Sequence, residues 1–275
     1  MASVTQRIAE IKQPRGGYLK PSEFEKIIIN DGLQLGPENI SPSTVGLAVD
    51  YLSRFMMERE KNPNLPIRFA ANKAFEISIK GYTVRQKLVS SQEIKTDKKK
   101  GIEISQLLDN ITGLDEKSII AACKAAGYDV WYRNLKEAFI FNGPEFTNPD
   151  KTTIENIRIM VERSLAFFRE YGPVTVDGFA FEKDGYTKTV DAGDGDFLTI
   201  DTLWDFKVSK GDISSKYTLQ LLMYWIMGQH SKKDIFKKIT RIGIYNPRLN
   251  TVYLFDISKC PKNLINDIEK TVICY

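Results

Sequence analysis

The region from residue 150 to residue 275 switches between helical and strand periodicity in one order, which limits the folds open to this chain. Thr152-x-x-Glu155 is typical of a capping box at the start of a helix. Apolar residues then recur at spacings of three and four from Ile154 to Phe168, and Gly172-Pro173 ends the pattern. These features predict an amphipathic helix that packs one face against a core.

Strand patterns follow this helix. Residues 173–182 and 186–200 alternate apolar and polar positions around an Asp184-Gly185 turn, which indicates a hairpin. The region is completed by a third strand pattern, an apolar helix and two further strand patterns, over residues 202–208, 216–228, 240–245 and 251–257. The order of helix, three strands, helix and strands predicts an α/β fold in which helices flank a mixed sheet.

The patterns before residue 150 are mainly helical. Ser41-Pro42-Ser43 predicts the start of a helix over about residues 43–60, which can also join the C-terminal core. Leu114–Ala126 predicts a second helix that ends at Gly127. Tyr128–Tyr132 alternates like a strand.

Two breaks in composition divide the chain. The charged run Lys95–Gly101 is expected to be an exposed loop, and Asn142–Asp150 is rich in turn-forming residues. We therefore predict a mainly helical N-terminal region, residues 1–149, followed by a core of residues 150–275.

The charge balance and the scarcity of histidine narrow the possible chemistry. The chain has 275 residues, with 39 Lys and Arg against 35 Asp and Glu, which gives a net charge of +4. This small excess permits nucleic-acid binding without indicating it. The sequence has a single histidine, His230, which is predicted at an exposed helix end. One histidine cannot form a metal site or a catalytic centre that needs several. An enzyme of this sequence would use carboxylates, Lys, Ser, Tyr or Cys.

The sequence also carries signals about location. No apolar run approaches the roughly 18–20 residues that span a bilayer, and the N-terminal residues lack an apolar stretch of signal-peptide length. Three scattered cysteines, Cys123, Cys260 and Cys274, are typical of reduced thiols. We expect a cytoplasmic protein without a membrane partner.

One charged pair interrupts a strand pattern. Asp205 and Lys207 lie within the run 203–208, and the strand period places both side chains on one face. Charges in a central strand are costly unless each is used. The Asp/Glu-x-Lys spacing occurs at four other places, all in polar or helical surroundings, so the spacing alone means little. The pair is either a structural ion pair or part of a functional site.

Further polar residues lie close to this pair in the sequence. Asp196 is nine residues upstream, and a tight hairpin would bring it near Asp205. Two close carboxylates favour a cation between them, and their oxygens suit Mg²⁺ or Mn²⁺. Gly193-x-Gly195 either lets the backbone approach a substrate or forms a simple bulge. Gln220 and Tyr224 share one face of the next helix, where they can orient a ligand or form a polar stripe against the sheet.

This ordered set resembles the catalytic core of the PD-(D/E)XK nuclease superfamily, and within it the RecB-like exonuclease branch. That branch carries a Gly-x-x-Asp element, an [Asp/Glu]-x-Lys strand and a Gln-x-x-x-Tyr helix. The corresponding residues here are Gly193 with Asp196, Asp205 with Lys207, and Gln220 with Tyr224. The resemblance covers residues 150–258. It implies a restriction-endonuclease-like core of the order α-β-β-β-α-β, with a mainly helical region before it.

The resemblance implies metal-dependent hydrolysis of phosphodiester bonds in nucleic acid, with DNA favoured over RNA. Asp196, Asp205 and the backbone carbonyl of Phe206 would hold Mg²⁺ or Mn²⁺, which lowers the pKa of a bound water and neutralises charge on the phosphate. Lys207 would orient that water, help to deprotonate it, or stabilise the pentavalent phosphorus.

Other residues would support this centre. Gln220 and Tyr224 would position the substrate strand or the lysine, and Lys188, Lys210 and Arg248 are candidate phosphate contacts. A protein partner or a homo-oligomer is compatible with the same sequence. A compact nuclease of this kind would fit a role in phage biology or bacterial defence.

The sequence departs from the family at one position. Many members carry Gly-x-x-x-His on an early helix, whereas this chain has Gly46 and Asp50 at that spacing. Asp50 is therefore either a further metal ligand or an exposed helix residue, and Glu155 or Glu162 could supply the acidic group instead. Two rival interpretations stay open. One is a catalytically inactive nucleic-acid-binding or regulatory module on the same fold, and the other is an unrelated protein whose strand pair is structural.

Overall fold

The computed structural model describes residues 2–140 and 143–275. These residues form two compact units. The first comprises the residues up to Asp31 together with Phe167–Tyr275, and the second comprises Gly32–Ala166.

Eight strands and twelve α-helices are described. The strands are β1 (Ala2–Ser3), β2 (Glu25–Ile28), β3 (Val176–Ala180), β4 (Val190–Ala192), β5 (Asp194–Leu198), β6 (Thr202–Phe206), β7 (Arg241–Asn246) and β8 (Thr251–Asp256). The helices are α1 (Val4–Glu10), α2 (Pro42–Lys61), α3 (Ile67–Ala74), α4 (Glu76–Leu88), α5 (Ser91–Lys99), α6 (Ile104–Asp109), α7 (Glu116–Ala126), α8 (Asp129–Arg133), α9 (Leu135–Ala138), α10 (Lys151–Tyr171), α11 (Ser215–His230) and α12 (Lys262–Asp267).

Six strands of the first unit form one mixed sheet, in the order β2-β8-β7-β6-β5-β3. Strands β6 and β7 run parallel, and the other neighbouring pairs run antiparallel. Helix α11 connects β6 to β7, because two parallel strands need a crossover between them. The predicted α/β fold with a mixed sheet is confirmed.

The hairpin predicted over residues 173–200 is present in a modified form. Strands β3 and β5 pair antiparallel, with Val176 opposite Leu198. Strand β4, however, leaves the main sheet and pairs in parallel with β1. The returning strand of the hairpin is therefore divided at Gly193 into two short strands.

The first 31 residues belong to the unit that contains the sheet. Strand β2 forms one edge of the sheet, with Lys26 opposite Tyr253 of β8. Val4 and Ile8 of α1 are buried in the same apolar cluster as α11. The predicted division into residues 1–149 and 150–275 thus differs from the two compact units. The N-terminal helix and strand are too short to show a clear period in the sequence.

Aromatic rings cover one face of the sheet. Phe167, near the end of α10, stacks on Tyr245 of β7 with ring centroids 4.1 Å apart and meets Trp204 of β6 edge-on at 4.9 Å. Gly243 leaves space for this arrangement, because a Cβ atom there would lie 2.4 Å from the Trp204 ring. Helix α11, which is buried along most of its length, belongs to the other apolar cluster of the unit.

All regular elements described between Gly32 and Ala166 are helices. The predicted helix over about residues 43–60 corresponds to α2, which lies in this second unit, and the predicted helix before Gly127 corresponds to α7. Both predictions are confirmed.

The strand predicted at Tyr128–Tyr132 is wrong, because these residues enter helix α8. Tyr128, Asp129 and Trp131 are buried whereas Tyr132 is half exposed, which is a helical pattern of burial and not an alternating one. The backbone packs closely on α4. A Cβ atom on Gly81 would lie only 2.0 Å from the Tyr128 carbonyl oxygen.

The loop predicted at Lys95–Gly101 is also wrong, since α5 extends to Lys99. Ser90 and Glu93 form a capping box that starts this helix. Its Asp97 is buried and forms an ion pair with Arg85 of α4. A charged residue thus anchors the inner face of the helix, so the polar composition did not indicate a loop.

The start of α10 differs in detail from the predicted capping box. Asp150, and not Thr152, caps the helix, because the Thr153 N–H donates to Asp150 Oδ1 at 2.8 Å. In the predicted break before it, Pro144–Phe146 forms a 3₁₀ turn, and Asn142 lies outside the described residues.

Three smaller findings bear on the sequence predictions. His230 is the last residue of α11 and is exposed, as predicted, with its ring stacked on Tyr275. The three cysteines are free, and Cys123 and Cys260 are buried. Within residues 2–140 and 143–275, the helices all fall short of the length and apolar character needed to cross a membrane.

We predict that Phe167→Ala lowers the free energy of unfolding by about 3–5 kcal/mol, because it removes the ring shared by Trp204 and Tyr245. Urea unfolding measures this change. The control Ile200→Ala removes a side chain that is 65% exposed and should change the stability by less than about 0.5 kcal/mol. A loss below about 1 kcal/mol for Phe167→Ala would contradict the packing described here.

Candidate functional site

Strands β5 and β6 bring the two predicted carboxylates to neighbouring positions. Phe197 pairs with Trp204 and Leu198 with Leu203, so the next step of this register sets Asp196 opposite Asp205. At that point the Phe206 N–H donates to Asp196 Oδ2 at 2.6 Å. A side chain thus replaces the backbone ladder and holds Asp196 against the end of β6.

Asp205 and Lys207 form an ion pair at the end of β6. The Asp205 side chain is only 5% exposed, and Lys207 Nζ lies 3.0 Å from its Oδ2. The Lys207 side chain is 25% exposed, and its Nζ lies 5.2 Å from the centroid of the Tyr217 ring on α11. The ammonium group therefore lies between a buried carboxylate and an aromatic face, which also attracts a cation.

The surroundings of Lys207 determine its charge. Burial lowers the pKa of Lys207, but the negative charges of Asp205 and Asp196 and the hydrogen bond to Asp205 raise it by more, so the pKa lies above its ordinary value. Lys207 is a cation at neutral pH in this arrangement. Among the roles predicted for it, orienting a water and neutralising phosphate charge suit a cation, whereas accepting a proton requires a neutral amine.

Helix α11 fixes the opposite wall through Gln220 and Tyr224. The Tyr224 hydroxyl donates to the carbonyl oxygen of Asp194 at 2.8 Å, and Gln220 Nε2 donates to the Tyr224 oxygen at 3.0 Å. Both side chains are buried. This chain of bonds ties the helix to the first residue of β5, two positions before Asp196.

Burial and the nearby carboxylates together raise the pKa of the Tyr224 phenol. Burial raises its pKa, the hydrogen bond with Gln220 lowers it by less, and the charges of Asp205, Asp194 and Asp196 raise it further. Tyr224 therefore stays a neutral donor across the physiological range. The β5–β6 register, the contact of Lys207 with Asp205 and the bonds from Gln220 through Tyr224 to Asp194 bring the five predicted catalytic residues to the start of β5 and the end of β6.

The glycines of the predicted Gly193-x-Gly195 element serve internal packing. A Cβ atom on Gly195 would lie 2.0 Å from the ring of Phe179 on β3, and one on Gly193 would lie 2.9 Å from Val4 and 3.3 Å from Tyr224. Neighbouring side chains occupy the space that a side chain would need at these two positions. This packing accounts for both glycines without an approach of the backbone to a substrate.

Two tyrosines have contacts at this site that were not predicted from the sequence. Tyr217 lies beside Lys207, and its spacing to Gln220 and Tyr224, three and seven residues, could have placed it on the same helix face. The Tyr186 hydroxyl donates to the Gly193 carbonyl at 2.9 Å and accepts from the Phe181 N–H at 3.1 Å. Tyr186 thus braces the chain just before β5.

The residues present fit a divalent cation with oxygen ligands. Asp196 and Asp205 supply two carboxylates, Phe206 follows directly with its backbone carbonyl, and Lys207 alone leaves the pair with an excess negative charge. Such hard oxygen donors suit Mg²⁺ or Mn²⁺. Among the described residues, no three His, Cys, Asp or Glu side chains cluster as a ready metal site.

The candidates for a further acidic ligand lie in the second unit. Asp50 of α2 forms an ion pair with Arg54 at 2.8 Å, and Glu155 of α10 forms one with Arg158. Glu162 is exposed. A part for any of these in metal binding stays a prediction.

The three predicted phosphate contacts occupy loops of the first unit. Lys210 is exposed in the loop after β6, and Arg248 lies in the turn between β7 and β8. Asn246 joins these segments, because its Nδ2 donates to the Ser209 carbonyl at 2.8 Å. Lys188 is exposed before β4, outside the main sheet. Lys210 and Arg248 thus lie in the loops that follow β6 and β7, at the same strand ends as Lys207.

Searches against family models, curated proteins and solved structures found no match to this chain.

We predict that Tyr224→Phe lowers the free energy of unfolding by about 1–3 kcal/mol, since it leaves the Asp194 carbonyl and the Gln220 amide without their buried partner. Chemical denaturation measures the change. The control Tyr217→Phe keeps the ring beside Lys207 and removes the hydroxyl of a residue that is only partly buried. Equal stability of the two variants would contradict the proposed bracing by Tyr224.

We predict that Mn²⁺ or Mg²⁺ raises the melting temperature of the wild type, because an ion bound only to the folded state stabilises it. In Asp205→Asn this metal-dependent shift should disappear. The control Asp267→Asn changes an exposed carboxylate on α12 and should keep it. Differential scanning calorimetry with and without metal measures the shift, and an undiminished shift in Asp205→Asn would contradict a metal site here.

Proposed function

We propose that this chain is a Mg²⁺- or Mn²⁺-dependent nuclease of the PD-(D/E)XK type, with DNA as the favoured substrate. One observation carries the proposal. The bond from the Phe206 N–H to Asp196 Oδ2 holds a second carboxylate beside Asp205, and Lys207 lies within 3.0 Å of Asp205. Two fixed carboxylates and a lysine at one strand end are the groups that this hydrolysis needs.

The architecture supports the proposal independently of these side chains. Along the chain, α10, β3, β5, β6, α11 and β7 follow the order expected for a restriction-endonuclease-like core. Strands β6 and β7 are parallel and lie at the centre of the sheet. The strands added to this order are β8, which pairs with β7, the edge strand β2, which pairs with β8, and β4, which pairs with β1.

Each residue has a part that follows from its surroundings. Asp196, Asp205 and the Phe206 carbonyl would hold the metal, which when bound activates a water and neutralises phosphate charge. Lys207, as an ammonium group, donates hydrogen bonds to a water or a phosphate oxygen placed beside Asp205. Gln220 and Tyr224 keep the start of β5, and therefore Asp196, at a fixed distance from α11.

A structural ion pair between Asp205 and Lys207 is the rival interpretation. The observed 3.0 Å contact satisfies both charges without any metal, and an inactive binding module could keep it. Buried ion pairs, however, add little stability compared with apolar residues of similar size. A purely structural pair would therefore be replaceable without loss of a specific activity.

The direct test is cleavage of single- and double-stranded DNA and RNA, in linear and circular forms, with Mg²⁺ or Mn²⁺. We expect the wild type to cut DNA and to be inactive in EDTA. Asp205→Asn and Lys207→Met should lower the rate by at least about 100-fold, because each removes a group that acts on the phosphate or its metal. Sparing of circles would identify an exonuclease.

Matched controls are available on α12. Asp267→Asn and Lys262→Met make the same chemical changes at exposed positions and should keep the wild-type rate. If purified Asp205→Asn cuts as fast as the wild type, the activity comes from a contaminating nuclease and Asp205 is not part of an active site. Absence of cleavage by the wild type on every substrate would favour the inactive module.

A further inference from the structure

One short segment of the second unit is strongly basic. Residues 80–100, which cover the end of α4 and all of α5, contain seven Lys and Arg but only two Asp and Glu, a net charge of +5. The whole chain carries only +4. The positive charge of this protein is therefore concentrated in this segment.

Six of the seven basic residues of this segment are exposed, and three of them, on α5, lie together. Lys95, Lys98 and Lys99 are spaced by three and four residues, so they share one face of the helix. All three are exposed, and within the described residues none of them lies within 4 Å of a carboxylate. The opposite face carries buried Asp97, which binds Arg85. The exposed face of α5 that carries Lys95, Lys98 and Lys99 is called the lysine face below, and it is open to an anion.

An aromatic cavity adjoins the same helix. It has a volume of about 530 Å³ and is lined by residues that include Arg85, Lys100, Trp131 and Phe139. Phe139 is 67% exposed, and its ring meets Trp131 edge-on with centroids 5.3 Å apart. An exposed ring held in place by a buried one offers a stacking surface for a base.

The acidic residues of the cavity wall do not cancel this positive charge. Asp97 is paired with Arg85, and Glu145 with Lys100. Glu93 accepts hydrogen bonds from Ser90 in the capping box. Arg85 and Lys100 thus balance the charges of Asp97 and Glu145. Glu93 keeps its negative charge, because Ser90 is neutral, but the three lysines of the lysine face outnumber it.

We propose that the lysine face and the adjoining cavity form a binding surface for single-stranded nucleic acid. Lys95, Lys98 and Lys99 contact consecutive phosphates, and an unstacked base lies against Phe139. A duplex keeps its bases stacked and would use the lysines alone. The inference rests on the proposed nuclease function for the class of ligand, and it assigns binding to residues outside the carboxylate site.

The test measures binding of fluorescein-labelled oligo-dT, longer than the roughly 16 nucleotides of a large single-strand site, by fluorescence anisotropy in EDTA. The triple variant Lys95→Gln/Lys98→Gln/Lys99→Gln should bind at least about tenfold more weakly near 0.1 M salt. Its plot of log affinity against log salt should be shallower by about 2, because each phosphate contact on a single strand contributes about 0.7. The control Lys259→Gln/Lys262→Gln/Lys270→Gln removes three exposed lysines of the first unit and should bind like the wild type.

A second variant tests the stacking surface. Phe139→Ala should weaken binding of oligo-dT by about tenfold without changing the salt slope, and should leave binding of a duplex unchanged. Phe69→Ala, which removes another exposed ring of the second unit, is the control. If Phe139→Ala has no effect and the triple variant weakens duplex and single strand alike, the single-strand assignment is overturned.

Equal binding of oligo-dT by the triple variant and the wild type overturns the surface itself. Binding in EDTA does not depend on cleavage, so failures of the two proposals can be distinguished. A protein that binds through the lysine face and cuts nothing overturns the nuclease proposal alone. A protein that cuts DNA while the triple variant binds normally overturns the binding surface alone.

Discussion

The burial of Asp205 constrains the rest of the first unit. A carboxylate that is 5% exposed at the end of a central strand is costly unless positive charge and hydrogen-bond donors surround it. Lys207 supplies the charge, and it must stay protonated to do so, which the nearby carboxylates ensure by raising its pKa. Asp196 then adds a second negative charge, so the arrangement carries an excess of negative charge that a divalent cation would balance.

Helix α11 links this site to the apolar core. Its Leu219, Leu222 and Met223 are fully buried, whereas Gln220 and Tyr224 extend a hydrogen-bonded connection to the start of β5. The packing energy of the helix therefore also fixes the position of the polar residues. On the opposite face of the sheet, Phe167, Trp204 and Tyr245 hold β6 and β7 side by side. The carboxylates thus lie on a rigid strand end, which favours catalytic geometry over adaptable binding.

Much of this arrangement could be predicted from the sequence, because strand and helix periods place residues on faces without knowledge of the fold. Asp205 with Lys207 and Gln220 with Tyr224 follow directly from such periods. The Asp196–Phe206 bond could not be predicted, since it depends on where the β5–β6 ladder stops.

The predictions at Tyr128–Tyr132 and Lys95–Gly101 failed because tertiary packing overrides local composition. Gly81 leaves room for the Tyr128 backbone, and the Asp97 side chain turns inward to Arg85. The predicted boundary near residue 150 separates β2 from its partner β8. The sequence does not indicate this pairing, because the two strands are more than 220 residues apart.

The central claim is that Asp196 and Asp205 share a divalent cation. Anomalous diffraction from crystals soaked in Mn²⁺ tests it most directly, because the ion itself is located. The account predicts an anomalous peak within coordination distance of both carboxylates and of the Phe206 carbonyl, which is lost in crystals of Asp205→Asn. Peaks only elsewhere on the protein, with Lys207 still bound to Asp205, would contradict it and leave the pair as a structural ion pair.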